Sequence, residues 1–151
     1  MTVSLRAVAA SDFPALYEQQ ADPESIALAA VPPRERAAHD DHWRRALAQE
    51  STRARTIVVD GEVAGHVVSF LRDGPGDVEV GYWIARSFWG RGVATEALAQ
   101  FLADEPRRPL VAHVATHNPG SRRVLEKCGF TVFAELEDPQ GGVDEVHLRL
   151  D

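Results

Sequence analysis

The sequence has little of several features that would point to particular protein classes. Its 151 residues contain a single cysteine, Cys128, which excludes a disulfide framework and disfavours a cysteine-based zinc site. No apolar run approaches the roughly 20 residues that a membrane-spanning helix needs. The first residues, MTVSLRAVAASDF, also lack the apolar core of a secretory signal. We therefore expect a cytoplasmic protein without a membrane partner.

Positive charge is also scarce. The chain has 16 Lys and Arg residues against 23 Asp and Glu residues, which gives a net charge of −7. A general nucleic-acid binder needs a basic surface, so we expect no nucleic-acid partner. The basic residues concentrate between positions 86 and 127, where seven basic and four acidic side chains give +3 and leave −10 for the remainder. A basic region in an otherwise acidic chain is suited to holding an anion.

The hydrophobic pattern predicts one α/β domain over residues 1–151. Alternating apolar residues from Val3 predict a strand, and helical spacing follows from Phe13 and again over residues 35–50, with proline residues breaking the chain over 22–34. Asp60-Gly61 lies between two β-rich runs and predicts a hairpin with a type I′ turn. A second turn is predicted at residues 73–77. The remaining pattern is strand, helix, strand, helix and two closing strands, which makes about seven strands and about four helices.

A glycine loop precedes the third predicted helix. Gly90-Arg91-Gly92 follows a predicted strand over 78–85 and leads into a helix with one apolar face. Glycines let backbone amides approach an anion closely, and a helix N-terminus carries roughly half a positive charge. The loop lacks the lysine of a Walker motif and the third small residue of a Rossmann fingerprint. On this segment alone, an ordinary strand-to-helix turn remains an alternative.

Two segments resemble the hallmarks of a known superfamily. Residues 79–98 read Glu-Val-Gly-Tyr-Trp-Ile-Ala-Arg-Ser-Phe-Trp-Gly-Arg-Gly-Val-Ala-Thr-Glu-Ala-Leu and closely resemble the acetyl-CoA motif of the GNAT N-acetyltransferases. Residues 118–130 read Asn-Pro-Gly-Ser-Arg-Arg-Val-Leu-Glu-Lys-Cys-Gly-Phe and resemble the second hallmark, at the expected distance. Two motifs in the right order are far more selective than either alone. Within the superfamily, the sequence looks most like the branch of ribosomal-protein N-terminal acetyltransferases, the Rim-type branch.

The resemblance implies a fold for almost the whole chain. That fold is α/β (α+β), with a mixed, mostly antiparallel twisted sheet of about seven strands and about four helices. One departure from the superfamily pattern is Trp89, which stands where Gln or Arg is usual, while Gly92 and Ala94 occupy the two small positions. The same substitution is familiar in the Rim-type branch.

The resemblance also implies how acetyl-CoA is held. Amides of residues 90–95 would wrap the pyrophosphate, backbone near Trp83 and Ile84 would pair with the pantetheine arm, and Asn118 and Ser121 would face the far end of the cofactor. Asn118 is equally explained as the cap of the helix that follows it. The full set of expected cofactor-binding residues is Trp83, Ile84, Trp89, Gly90, Arg91, Gly92, Val93, Ala94, Thr95, Asn118 and Ser121.

Two residues are candidates for the chemistry. An alkyl amine with a pKa of about 8 to 10.4 is mostly protonated near neutral pH, so a base must accept its proton. Glu79 matches by position the glutamate that histone-type relatives use as this base, and its alternative is a solvated carboxylate on an exposed strand. Many relatives carry a tyrosine where this chain has Leu125. Ser121 is the available hydroxyl for the departing thiolate, as in the Rim-type branch, although it could instead bond its own helical turn.

We therefore expect an N-acetyltransferase that transfers acetyl from acetyl-CoA to a primary amine by direct attack in a ternary complex, without a metal. One alternative is a non-catalytic acetyl-CoA-binding sensor or interaction module, which the missing tyrosine at Leu125 favours. A nucleotide-binding switch is a further alternative, and the absent Walker lysine argues against it. The identity of the acceptor stays open among a protein N-terminus, a peptide and a small molecule. Whether the protein forms a homodimer also stays open. The excess of acidic residues would suit a cationic amine as acceptor, but it is also typical of an ordinary protein surface. These acidic residues include Asp22, Glu24, Glu35, Asp40 and Asp41.

Overall fold

The computed structural model describes residues 1–72 and 76–151, and in that part of the chain it contains seven strands and five α-helices. The strands are β1 (Val3–Ala7), β2 (Arg53–Val59), β3 (Glu62–Leu71), β4 (Val78–Ile84), β5 (Leu110–Ala115), β6 (Thr131–Leu136) and β7 (Glu145–Leu150). The helices are α1 (Phe13–Ala21), α2 (Pro23–Ala29), α3 (Arg36–Ala48), α4 (Val93–Asp104) and α5 (Pro119–Lys127). None of these helices is both long and apolar enough to cross a membrane.

The strands form one mixed sheet in the order β1-β2-β3-β4-β5-β7-β6. Neighbouring strands run antiparallel except β4 and β5, which run parallel. The predicted β2–β3 hairpin is confirmed, since Asp60 and Gly61 have φ of 48° and 85°, the positive values that a type I′ turn requires. Residues 73–75 of the predicted second turn lie outside the described residues.

The sequence predicted about four helices, and the structure has one more because α2 occupies part of the segment where a break was expected. Pro23 stands at the first position of α2, where the missing N–H of proline costs nothing and its fixed φ suits a helix. Asp22 caps the helix by accepting a hydrogen bond from the backbone N–H of Ser25 at 3.0 Å. The proline therefore begins a helix here, and the chain turns only after Ala29.

Helices cover both faces of the sheet. Val67 of β3 belongs to the larger apolar cluster, which includes α4 and α5 residues such as Phe101 and Leu125. The next residue, Val68, packs against a smaller cluster formed by α1, α3 and β2. Because consecutive strand residues point to opposite faces, the two clusters lie on the two sides of the sheet.

Strands β4 and β5 separate almost as soon as they meet. They pair only at Val78 with Leu110 and at Glu79 with Val111, whereas β4 pairs with β3 along its whole length. Gly65 permits this close β3–β4 pairing, since a Cβ atom there would collide with the carbonyl oxygen of Trp83. A gap therefore opens between β4 and β5 beyond Glu79, and the cleft described below lies there.

A buried carboxylate ties the first strand to the helix layer. Asp12 is 3% exposed and receives both terminal nitrogens of Arg6 at 2.8 Å. It also accepts hydrogen bonds from the backbone N–H of Ala9 at 2.9 Å and from the Thr56 hydroxyl at 2.8 Å. These donors, Arg6 foremost, lower the pKa of Asp12 to about 2.

We expect Asp12→Ala to lower the free energy of unfolding near pH 7 by about 2 kcal/mol, because its donors lose their ionised partner. The folded-state pKa lies below the unfolded value of 3.8, so this stabilisation is present above pH 3.8 and is lost as the pH falls through about 2. Urea unfolding of wild type and variant across this pH range measures it. Asp41→Ala, which removes an exposed partner of Arg44, is the matched control and should cost under about 0.5 kcal/mol. A difference that stays constant between pH 7 and pH 2 would contradict the expectation.

Candidate active site

A cleft of about 500 Å³ lies where β4 separates from β5. Its walls come from β4, the glycine loop, the first turn of α4, one face of α5 and the inner side of α2. Ten of the eleven residues that the sequence assigned to cofactor binding line it: Trp83, Ile84, Trp89, Gly90, Gly92, Val93, Ala94, Thr95, Asn118 and Ser121.

The glycine loop delivers the N-terminus of α4 to the cleft. Gly90 and Gly92 have φ of 72° and 75°, left-handed values that a side chain would strain. Gly92 is the N-cap of α4, and the first helical hydrogen bond runs from the N–H of Glu96 to its carbonyl at 3.1 Å. The amides that precede Glu96 in the first turn have no partner within the helix. They offer an anion several donors at the positive end of the helix dipole.

Helix α5 brings a capped N-terminus and two cations to the same cleft. The Asn118 side chain accepts a hydrogen bond from the backbone N–H of Ser121 at 3.3 Å, so the capping role of Asn118 is present. Arg123 and Lys127 follow on α5, one helical turn apart, and both line the cleft. Asn118 and Ser121 of the second sequence motif also line the cleft, whereas the motif did not single out these two cations.

Arg91 is the one expected cofactor-binding residue that the structure does not place in the cleft wall. Its guanidinium carbon lies 5.2 Å from the centre of the Phe88 ring, which is a cation–π contact. Phe88 itself lines the cleft, so Arg91 packs against a lining residue. The role that the resemblance implies for Arg91 is that of a backbone amide, and the ring contact is made by its side chain.

The basic region over residues 86–127 offers fewer unpaired cations to a ligand than its net charge suggests. Within the described residues, several of its cations pair with carboxylates: Arg86 with Asp22 and Glu24, Arg107 with Glu105, and Arg122 with Glu126. The Arg107–Glu105 pair holds a buried carboxylate, and an arginine in this setting cannot serve an external anion. Arg123 and Lys127 are the members of the region that line the cleft.

A second hydroxyl accompanies Ser121. The Tyr82 hydroxyl lies 2.7 Å from Oγ of Ser121 and 3.1 Å from its backbone oxygen. Burial raises the pKa of Tyr82 to about 12, and the hydrogen bond with Ser121 acts in the opposite direction. The family motif has a tyrosine where this chain has Leu125, and it gives no indication of Tyr82, which reaches the start of α5 from β4. Alternation along β4 with buried Val80 and Ile84 was the signal that Tyr82 points towards α5.

Glu79 lies at the point where β4 and β5 separate. Its side chain is only 16% exposed, so Glu79 is not fully solvated, as the alternative would have it. Its Oε1 atom lies 3.0 Å from Nδ1 of His113 and 3.7 Å from Nη1 of Arg72. Burial raises the pKa of Glu79, and the charge of Arg72 partly opposes this.

Two histidines lie beside Glu79 on paired strands. His113 of β5 is directly opposite His147 of β7, and their rings stack with centroids 3.6 Å apart and planes 9° apart. Burial, then His147 and Arg72, lower the pKa of His113 to about 4. Ligand atoms of His113, Glu145 and His147 lie within 4.8 Å of one another. Nearly parallel rings cannot both direct an in-plane nitrogen lone pair at one ion, so this arrangement fits a metal poorly.

Comparison with known proteins places this geometry in a family. Residues 2–131 match the family described as "Acetyltransferase (GNAT) domain". The chain is 32% identical over 101 residues to "Putative ribosomal N-acetyltransferase YdaF" of Bacillus subtilis (strain 168). That alignment covers 64% of this chain and 55% of the relative, so the chain spans about half the length of the curated relative it matches.

Solved structures show the same fold. A GNAT-family acetyltransferase from Bacillus anthracis superposes with a TM-score of 0.83 at 18% identity, covering 99% of this chain and 95% of the other. Spermidine N-acetyltransferase from Vibrio cholerae, solved with CoA and spermine, also gives 0.83 at 18% identity, covering 98% and 94%. With the family match over residues 2–131, the observed mixed sheet and the cleft at the β4–β5 gap, the chain belongs to the GNAT acetyltransferase family, whose members are acyltransferases.

Proposed function

We propose that the protein transfers acetyl from acetyl-CoA to a primary amine by direct attack in a ternary complex. The observation that carries this proposal is the β4–β5 gap, which has two helix N-termini on one side and the partly buried carboxylate of Glu79 where the gap begins. One strand can therefore present backbone groups to a thioester and a base to an amine. The fold neighbours solved with CoA support the choice of donor.

The residues present fit coenzyme A. Amides of residues 90–95 would hold the pyrophosphate at the N-terminus of α4, with Arg123 and Lys127 supplying the opposite charge. The backbone of β4 near Trp83 and Ile84 would pair with the pantetheine arm, because its edge towards β5 is open beyond Glu79. Asn118 and Ser121 would face the cofactor from the start of α5.

The acceptor amine would reach Glu79 from the side of the sheet that carries α1 and α3. Glu79, Gly81 and Trp83 alternate onto that face of β4, and a Cβ atom at Gly81 would meet nothing within 4 Å. This leaves open space directly beside the carboxylate. Glu79 would accept the amine proton as the nitrogen attacks the thioester carbon, and a backbone amide of β4 would hold the developing oxyanion.

Ser121 would stabilise the departing thiolate of coenzyme A. As the C–S bond breaks, its hydroxyl would donate to the departing thiolate, and the Tyr82 hydroxyl at 2.7 Å would support the serine oxygen from behind. The pair thus supplies hydroxyls in place of the tyrosine that Leu125 replaces. This counts against the non-catalytic alternative, for which the missing tyrosine was the main argument.

The proposed acceptor is an amine, and no narrower class of amine is assigned to the site. Most of the acidic residues that suggested a cationic acceptor are engaged within the protein: Asp22 and Glu24 with Arg86, Asp40 with Arg36, and Asp41 with Arg44. Their charge is therefore largely neutralised locally, and the surplus acid no longer argues for a polyamine over a peptide. A cytoplasmic location and a homodimeric state stay predictions.

We expect Glu79→Gln to lower amine-dependent turnover by about 10²- to 10⁴-fold near pH 7, because the amide cannot accept a proton. The measurement is CoA release from acetyl-CoA across peptide N-termini, polyamines and aminoglycosides, with acetyl-CoA affinity measured alongside. Glu62→Gln at an exposed carboxylate of β3 is the matched control. Full turnover by Glu79→Gln would refute the assigned base. Tight acetyl-CoA binding by the wild type with no amine acetylated would instead support the binding-module alternative.

We expect Ser121→Ala to lower kcat by about 10- to 100-fold, and Tyr82→Phe by less, because Tyr82 acts through the serine. Their effects should not add, so the double variant should resemble Ser121→Ala alone. Steady-state kinetics on the four members of this cycle measure the coupling. Tyr17→Phe on α1 is the matched control for the tyrosine change. Strictly additive losses would show that the two hydroxyls act independently.

We expect Arg123→Ala and Lys127→Ala each to raise the Kd for CoA by about 5- to 10-fold, since each removes a cation from the cleft wall. Titration calorimetry at low and high salt measures this, and the salt dependence of binding should weaken in both variants. Arg122→Ala is the control, because Arg122 lies on the same helix but pairs with Glu126. Equal losses in all three variants would show a general effect on α5 and contradict the assignment.

A further inference from the structure

We infer that Arg86 is a positioning residue for coenzyme A, because it holds helix α2 across the far end of the β4–β5 gap. This inference rests on the proposed function, in which that gap takes the pantetheine arm. Arg86 acts through α2, whose inner side is part of the cleft wall.

Helix α2 is attached on both sides of the gap. Arg86 lies two residues beyond the end of β4, and its terminal nitrogens form ion pairs with Asp22 at 3.1 Å and with Glu24 at 2.8 Å. His117 lies two residues beyond the end of β5, and its Nε2 donates a hydrogen bond to the carbonyl oxygen of Ala27 at 3.0 Å. The start of α2 is therefore fixed beside β4, and its later part is fixed beside β5.

These polar contacts matter because α2 has little apolar anchoring. None of its seven residues, all of which lie in the described part of the chain, belongs to either apolar cluster of the fold. A helix of this length is not stable on its own in water. Elements with few buried apolar contacts open at low cost in free energy. The place of α2 therefore depends on its attachments, and the ion pairs of Arg86 are among them.

One of the two carboxylates is already fixed by the helix itself. Asp22 is the N-cap of α2 and accepts hydrogen bonds from the backbone N–H of Ser25 at 3.0 Å and from its hydroxyl at 2.9 Å. The hydrogen bonds from Ser25, foremost that of the hydroxyl, and then the charge of Arg86 lower the pKa of Asp22. Arg86 thus meets an ionised carboxylate that moves with α2 as one unit.

The inner side of α2 faces the space that the pantetheine arm would occupy. Ser25, Leu28 and Ala29 line the same cleft as Trp83 and Ile84 of β4. With α2 in place, the arm would be enclosed between this helix and the face of α5, whereas a displaced α2 would leave the end of the gap open to solvent. An enclosed arm buries more apolar surface, so we expect α2 to slow the release of CoA.

Hydrogen exchange tests the attachment in the protein without CoA. We expect Arg86→Gln to raise the amide exchange of residues 22–29 by about 5-fold, because the ion pairs that oppose the opening of α2 are lost. Exchange in α1 should stay unchanged, since the indole N–H of Trp83 donates to the carbonyl oxygen of Gln19 at 3.1 Å and holds the end of that helix to β4. Mass spectrometry of peptides from α1 and α2 measures both.

The matched control is Arg36→Gln on α3. Arg36 pairs with Asp40 at 3.1 Å, and the two side chains are 48% and 16% exposed, close to the 50% and 18% of Arg86 and Asp22. Loss of this pair should leave the exchange of α2 unchanged. Unchanged exchange of α2 in Arg86→Gln, or the same increase in both variants, would overturn the inference.

Binding kinetics measure the consequence for the cofactor. We expect Arg86→Gln to raise the Kd for CoA by about 3- to 5-fold, mainly through faster dissociation. The KM for acetyl-CoA should rise by a similar factor while kcat stays within about twofold of wild type, because uniform binding is lost. High salt screens exposed ion pairs, so the difference between wild type and variant should shrink there. Stopped-flow dissociation and steady-state kinetics give these values.

Charge reversal separates the ion pairs from other properties of the arginine. Arg86→Glu places a third carboxylate beside Asp22 and Glu24 and should raise the Kd for CoA by about 10-fold. Adding Glu24→Arg restores one ion pair with its polarity reversed, so the double variant should bind CoA more tightly than Arg86→Glu alone. A double variant that binds no better would overturn the role of the ion pairs.

The outcomes separate this inference from the proposed function. If CoA binds but Arg86→Gln changes neither its dissociation rate nor the KM for acetyl-CoA, the positioning role is wrong and the proposed function stands. If the wild type binds no CoA, the proposed function fails together with the cofactor part of this inference. Hydrogen exchange in the protein without CoA then still decides whether Arg86 holds α2.

Discussion

Strands β4 and β5 are parallel neighbours that share only two paired positions before they diverge. A parallel pair would normally continue its ladder, and ending it leaves backbone N–H and C=O groups on the facing edge of β4 without a strand partner. Such groups are costly unless water or a ligand satisfies them, so the gap is a natural place for an extended, amide-containing ligand. The antiparallel pairing of β4 with β3 along its full length keeps the strand rigid while its other edge is open.

The pleat of β4 allows this one strand to serve two substrates. Tyr82 points to the face of α4 and α5, where it meets Ser121, while Glu79 and Gly81 point to the opposite face. A thioester lying along the open edge would therefore have a hydroxyl on one side and a carboxylate on the other. Attack and departure at a carbonyl carbon take place on different sides, so the proposed base and acid need this separation. A shift of one residue in the β3–β4 register would exchange the two faces and destroy it.

Much of this arrangement could be predicted from sequence because its signals are local. The glycine loop, the Asn118 cap and the Asp60-Gly61 turn each depend on neighbouring residues, and all of them occur in the structure. The segment after α1 was misjudged because proline can break a helix or begin one, and only the cap at Asp22 decides between them. Alternation along β4 indicates the face to which Tyr82 points, but its contact with Ser121 joins residues 39 positions apart, and no local pattern identifies that partner. The pairing of the arginines was equally hidden, which is why the charge count overstated the number of cations available to a ligand.

Three carboxylates with little exposure show what distinguishes a structural acid from a candidate base. Asp12 receives a bidentate arginine at 2.8 Å and two further donors, and Glu105 receives Arg107 at 2.6 Å and the Ser69 hydroxyl at 2.6 Å. In both, these donors outweigh burial and lower the pKa to about 2, so each stays ionised throughout the physiological range. Glu79 has its arginine at 3.7 Å and a neutral histidine at 3.0 Å, so burial prevails and its pKa is raised. A carboxylate with so few donors can still take up a proton, and this is the property that general-base catalysis requires.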